Sequence, residues 1–269
     1  MVSAGAARLL RATLALLLAL SPLAAHAADL PLRLCLNEQL GIGEENAHFS
    51  VRMVRLAQPP GVRVELHPLP WARCLVEAQR GDFDGVLGAS YLPERARTLA
   101  YPLDVEGRPD AGRRMFRMGY VMLKRAGSPV RWDGRMLQGA VRPVGVERGH
   151  ASVAFLRQRG IPFDENQPDL DAMLAKLRAE RVDAIVVSEA QRLSLLAWRP
   201  EALGGIERAG PTLIYRDYYL ALKPAWARSH RVESERFWNA LAAVRTTPSF
   251  ERLFAEQQGW REGEPQPKP

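Results

Sequence analysis

Two cysteines in 269 residues are too few for a disulfide-dense mini-scaffold and cannot complete a zinc site. No run of five or six like charges occurs, so the formal charge of +7 reads as a solvated basic face. The densest basic region is Arg113-Arg114, Arg117 and Lys124-Arg125. It has no interleaved aromatics to stack on bases, and aromatics are only 7% of the chain, so no nucleic-acid partner is expected. G-x-S-x-G, P-loop and H-E-x-x-H patterns are missing. His48, His67, His150 and His230 lack metal-ligand spacing, which leaves no metal or cofactor to expect. What remains, 47% hydrophobic and 25% charged residues, is an ordinary globular composition with length for one large or two small domains.

The longest apolar run lies at the start. Arg8 and Arg11 precede the uncharged Ala12–Leu20, followed by Ser21-Pro22 and Ala25-His26-Ala27. A basic start, a short apolar core and an A-x-A ending predict a secretory signal peptide over residues 1–27, cleaved after Ala27. A run of roughly ten apolar residues is too short to cross ~30 Å of hydrocarbon. Cleavage lowers the net charge from +7 to +5 and sends the product to an oxidising, periplasmic compartment.

Two segments share one grammar. Trp71, Cys74, Leu75 and Ala78 fall on one helix face, and Phe83–Leu87 reads as a buried strand. Leu170, Met173, Leu174 and Leu177 repeat the spacing, with Val182–Val187 as the strand. Each unit has a strand and helix before it: Leu32–Leu36 and a helix through Phe49, Met53 and Leu56, then Val144–Val146 and a helix over 152–159. Alternating strands and helices predict an α/β protein with parallel sheets covered on both faces. The matching aspartates, Asp84 and Asp183, imply two similar lobes. The extended segments Met118–Leu123 and Ile214–Leu222 are expected to cross between them, and a single continuous sheet would contradict that reading. Two helices, with Phe237, Leu241 and Val244 and then Phe250, Leu253 and Phe254 aligned, are expected to return to the first lobe. The boundaries follow: lobe 1 over 28–116 and 221–262, lobe 2 over 117–220, and a Pro-rich tail over 263–269. The hinged cleft between lobes is the default ligand site.

Pro70-Trp71, Gly81, Asp84-Gly85 and the run Gly88-Ala89-Ser90-Tyr91-Leu92-Pro93-Glu94-Arg95 resemble the bacterial extracellular solute-binding proteins of the polar amino-acid type. Leu137-Gln138-Gly139, Val144-Gly145-Val146, Gly149 and Val182-Asp183-Ala184 follow in the same order. The resemblance implies the two-lobed type II periplasmic-binding fold and capture of a small polar, carboxylate-bearing ligand for the membrane permease of an ABC importer. It implies that Trp71 stacks on ligand, Ser90 contacts it, and Arg95 clamps its carboxylate with a planar fork. Gly149-His150 matches a Gly-Thr pair at a helix start, where backbone N–H groups hold the same anion.

Departures from the family pattern are equally specific. Ser188 stands where an aspartate pairs with the ligand ammonium, Asn37 replaces an acidic residue after the first strand, and Leu92 replaces a threonine. Glu38 or Glu189 are candidates to supply the missing negative charge. Tyr218 and Tyr219 are either hinge packing or cleft wall. Cys35 and Cys74 form a disulfide if the oxidising compartment decides, or remain two buried thiols. Some relatives of this fold are cyclohexadienyl dehydratases, which would need a general acid such as Glu189 in the cleft. A ligand sensor for a membrane receptor is a third reading. A monomer is the simpler expectation.

Overall fold

The computed structural model describes residues 29–40 and 48–257. The expected leader and the tail at 263–269 lie outside the described residues. Strand β1 (Leu30–Asn37) is followed by helix α1 (Phe49–Ala57), β2 (Val62–Leu69), α2 (Trp71–Arg80), β3 (Gly85–Ser90) and the short α3 (Pro93–Ala96). Next come β4 (Phe116–Arg125), the small pair β5 (Arg131–Trp132) and β6 (Leu137–Gln138), then β7 (Val144–Glu147) and α4 (Ala151–Gln158). The chain continues through β8 (Phe163–Gln167), α5 (Leu170–Arg178), β9 (Ala184–Ser188), α6 (Glu189–Trp198) and β10 (Ile206–Arg208). It closes with β11 (Ile214–Leu222), α7 (Pro224–Ser229), α8 (Arg231–Arg245) and α9 (Pro248–Gln257). No helix among the described residues is long and apolar enough to cross a membrane.

Local chemistry sets the element ends. Helix α2 follows Pro70 and stops at Gly81, whose φ of 98° admits the left-handed turn that returns its N–H to Glu77 and Ala78 carbonyls. Helix α5 starts at Asp169, whose carboxylate accepts the Ala172 N–H. Both repeated aspartates are structural. Asp84 accepts the Arg33 N–H at 2.8 Å, and Asp183 accepts the N–H groups of Val141 and Arg142 at 2.7 and 2.6 Å. Asp84 thus ties its turn to β1 and Asp183 ties its turn to the segment just before β7, and the strands start after them, at Gly85 and Ala184 rather than Phe83 and Val182.

β1 pairs in parallel with β2 and β3, and β7 in parallel with β8 and β9. The sheets are not purely parallel, because the crossing strands β4 and β11 run antiparallel to their neighbours and to each other. Hydrogen bonding is therefore continuous in the order β2-β1-β3-β11-β4-β9-β7-β8, against the expectation of two separate sheets. The apolar cores nonetheless divide into two lobes, each half-sheet being covered on both faces. One face of the first half carries Leu32, Leu34, Phe49, Phe250 and Phe254, and the other carries Cys35, Trp71, Cys74 and Tyr219. The second half has Met122, Trp132, Val144 and Phe155 on one face and Met173, Leu174, Leu177 and Ile185 on the other. Helices α8 and α9 pack on α1, where Phe49 meets Phe254 edge-on at 4.9 Å. Leu56 departs from its expected face: it is 67% exposed. Cys35 and Cys74 are joined by a disulfide that ties α2 to β1.

Candidate functional site

Between the lobes lies a cavity of about 370 Å³. Its floor is the crossing pair: Tyr120 on β4 and Tyr218 on β11 bring their hydroxyls to 2.6 Å, and Phe116 stacks on Tyr218 at 4.8 Å. Burial pushes the ionisation of both tyrosines up, so both stay neutral.

The first lobe contributes a buried guanidinium. The loop after β3 turns at Leu92-Pro93, and α3 places Arg95 back under that loop with only 5% of its surface exposed. Its Nη1 donates to the Ser90 carbonyl at 2.9 Å and to the Ser90 hydroxyl at 2.8 Å, and its Nη2 donates to the Gly149 carbonyl at 2.6 Å. Trp71, at the start of α2, donates its Nε1 to the same carbonyl at 3.0 Å and lies under the guanidinium at 5.6 Å. The Gly149 carbonyl is where lobe 1 grips lobe 2. Gly149 has φ +78°, and a Cβ there would meet Leu75 at 3.3 Å and Trp71 at 3.5 Å.

The second lobe contributes a polar chain. Ser188 caps α6 in a capping box with Gln191, and Gln191 Nε2 donates to Glu147 at 3.0 Å. Glu147, 3% exposed at the end of β7, lies 3.3 Å from His150 Nε2. Burial pushes the Glu147 carboxyl up, but His150 and the Gln191 hydrogen bond outweigh it and hold it below the usual carboxylate range. Also lining the cavity, His48 accepts the Ser50 N–H at the start of α1, and burial lowers its pKa to about 3. Ala151, the first residue of α4, reaches the wall at a helix start with no side-chain cap and no acidic residue in its first turn, so it adds positive potential, whereas the α5 start brings Asp169 and Asp171 to the wall.

Of the residues expected at the site, Asn37, Trp71, Ser90, Arg95, His150 and Ser188 line the cavity. Gly149 lies beside them through its carbonyl. Glu38 is exposed and off the wall. Glu189 is also off the wall, because Arg192 holds its carboxylate at 2.6 Å and Arg208 approaches at 3.6 Å. Tyr218, on a crossing strand, lines the cavity, while Tyr219 is buried in the first-lobe core. Sequence reasoning missed Tyr120, Glu147 and Gln191. Only the last had a signal, the Ser188-x-x-Gln191 capping box. Among the described residues, no three His, Cys, Asp or Glu side chains are arranged to hold a metal.

No family model matches the chain, and no curated protein matches it. Solved structures do. A histidine kinase sensor domain with similarity to periplasmic binding proteins superposes at TM-score 0.66, 18% identity, over 85% of this chain and 96% of its own. An ancestral arginine-binding protein bound to glutamine gives 0.64 at 20% identity, over 85% and 98%. The GluR0 ligand-binding core from Nostoc punctiforme in complex with (L)-glutamate gives 0.64 at 17%, over 85% and 100%. The chain has the two-lobed, type II periplasmic-binding-like fold. Its likeness to these structures covers both lobes, and the 370 Å³ cavity lies where the two halves of this fold face each other.

Proposed function

We propose that this protein captures a small polar solute bearing a carboxylate, and presents it to the permease of an ABC-type importer. The observation that carries the reading is Arg95. Three of the five N–H donors of its guanidinium are committed to Ser90 and Gly149, which leaves two for a ligand carboxylate inside the cavity. The N-terminus of α4, free of acidic residues and of a side-chain cap, favours the same sign of ligand charge. The proposed lobes run over 28–116 with 221–262, and over 117–220, and closure on ligand is coupled to affinity. The fold and the disulfide support export to the periplasm after cleavage at Ala27, and a monomer suffices to build the cavity. The likeness to a kinase sensor domain favours one second reading, a ligand sensor docking a membrane receptor. A dehydratase has less support, since Glu189 is ion-paired off the cavity wall.

A thermal-shift screen of amino acids, organic acids and small amines tests this, with prephenate and arogenate turnover assayed alongside. Stabilisation by carboxylate-bearing compounds without turnover is expected. Turnover, or stabilisation by amines alone, overturns the reading. Co-purification with a permease rather than a receptor kinase separates importer from sensor.

A further inference from the structure

Resting on the capture reading above, we propose that the captured solute carries a single carboxylate on an apolar body of about one ring, and no ammonium group. The polar side chains of the chamber are largely matched to one another. The Tyr120 and Tyr218 hydroxyls pair at 2.6 Å, and the Ser50 hydroxyl pairs with His48 Nδ1 at 2.7 Å. The Ser90 hydroxyl accepts from Arg95, and Ser188 is bonded to Gln191, whose Nε2 goes on to Glu147. Asn37 accepts the Gln39 N–H at 3.0 Å. The His150 Nδ1 has no partner, but it is fully buried and meets no solute. What stays open is the pair of N–H donors left on Arg95. One such fork takes one carboxylate.

An ammonium group needs a carboxylate, and among the described residues only Asp169 and Asp171 bring one to the wall. Asp169 accepts the Ala172 N–H at 2.8 Å. Asp171 is 63% exposed and holds Arg199 at 2.8 Å, so it faces water, where an ion pair contributes little. Burial keeps His48 uncharged near neutral pH. The rest of the chamber is apolar. Leu40, Ala190 and Tyr218, each half-buried, extend the first-lobe core into it, and Leu87, Phe116 and Met118 reach it behind them. Gly88 leaves the Phe116 ring uncovered, since a Cβ there would meet only that ring, at 3.9 Å. Phe116 and Tyr218 stack 15° from parallel and present a flat face. A hydrocarbon ring on that face leaves water at a gain. An ammonium or a second carboxylate in the same place gives up its hydration and finds no partner.

Isothermal titration of the full chain with 3-phenylpropanoate and L-phenylalanine compares two probes that differ only by the α-ammonium group. The first is expected to bind tighter, by at least about tenfold. Across butanoate, hexanoate and octanoate, affinity should rise by up to about fourfold per methylene. Succinate should bind more weakly than butanoate. Leu40→Gln and Met118→Gln each set an amide into the apolar wall, and each should weaken 3-phenylpropanoate by about tenfold. Leu40 lies on the turn after β1, outside the sheet, so it tests the wall even if Met118→Gln fails to fold. L-phenylalanine or L-glutamate binding as tightly as 3-phenylpropanoate, or a series with no gain per methylene, overturns the proposal and leaves the capture reading standing. Undiminished binding of 3-phenylpropanoate to the folded variants overturns it too. If no carboxylate in the panel binds, the capture reading falls and takes this proposal with it.

Discussion

Replacing Arg95 by lysine preserves the charge and removes the planar fork, so the bonds it makes can be separated by where they lead. Two go to Ser90 and stay within lobe 1, while the third, to the Gly149 carbonyl, joins the lobes. An ammonium reaching the Ser90 oxygens loses the fork that spans both targets. The interlobe bond is charge-assisted, and such bonds contribute about 1.5–3 kcal/mol. The Gly149 carbonyl keeps the Trp71 Nε1 donor, so no buried acceptor is orphaned and the lower half of that range applies. Arg95→Lys should then move the closed-to-open ratio by roughly tenfold, with little change in melting temperature. Small-angle scattering without ligand should show a larger radius of gyration for Arg95→Lys and for Arg95→Ala. Gly149→Ala should open the lobes with Arg95 intact, because φ +78° costs a non-glycine residue ~1–2 kcal/mol and the new Cβ crowds Leu75. Scattering profiles identical to wild type in both arginine variants would refute the grip. Opening in Gly149→Ala alone would assign it to packing.

Two further outcomes follow from the same structure. Replacing Cys35 and Cys74 together by alanine frees a loop spanning 39 positions, which the chain-entropy model values at about 4 kcal/mol, so the melting temperature should drop on the order of 10 °C by calorimetry. An equal melting temperature with and without the bond would contradict it. His48 titrates at about 3 when folded and near 6.5 when unfolded, so below pH 6.5 the unfolded chain binds the extra proton. Stability should decline from pH 6.5 down to about 3, by an amount on the order of a few kcal/mol, and His48→Asn, which keeps a side-chain acceptor for the Ser50 N–H, should decline less in urea titrations. Parallel curves for the two proteins would rule the histidine out.

Helices α2 and α5 were legible because their apolar residues recur at i, i+3, i+4 and i+7 and their burial follows that spacing. Edge strands were not. In β2, Val62–Leu69 contains a proline and is only half-buried, and β8 reads Phe-Asp-Glu-Asn-Gln, so each owes its strand to the ladder it joins. The Leu56 error has the opposite cause: an apolar residue sits beside Arg55 on the outward face of α1, while Met53, Val54 and Ala57 around it are buried. At the site, Trp71, Ser90 and Arg95 were readable as a resemblance carried by contiguous motifs. The cavity floor was not, because Tyr120 and Tyr218 are 98 positions apart and meet only through antiparallel register. Glu147 was hidden for a simpler reason, since its role exists only beside His150 and Gln191.

Tyr218 is paired on both sides, with Ser90 across one edge of β11 and with Phe116 across the other. The two crossings are thus a single hydrogen-bonded ribbon rather than two independent tethers. Such a ribbon behaves mechanically as a torsion bar: it twists readily about its length and resists in-plane shear. The register with β3 shifts between residues 219 and 220, an irregularity of the kind that raises the local twist of a strand. Because the ribbon also forms the cavity floor, rotation of the lobes changes the chamber's depth and width together. Substitutions along β11 that never touch a solute therefore reset the size of molecule that fits.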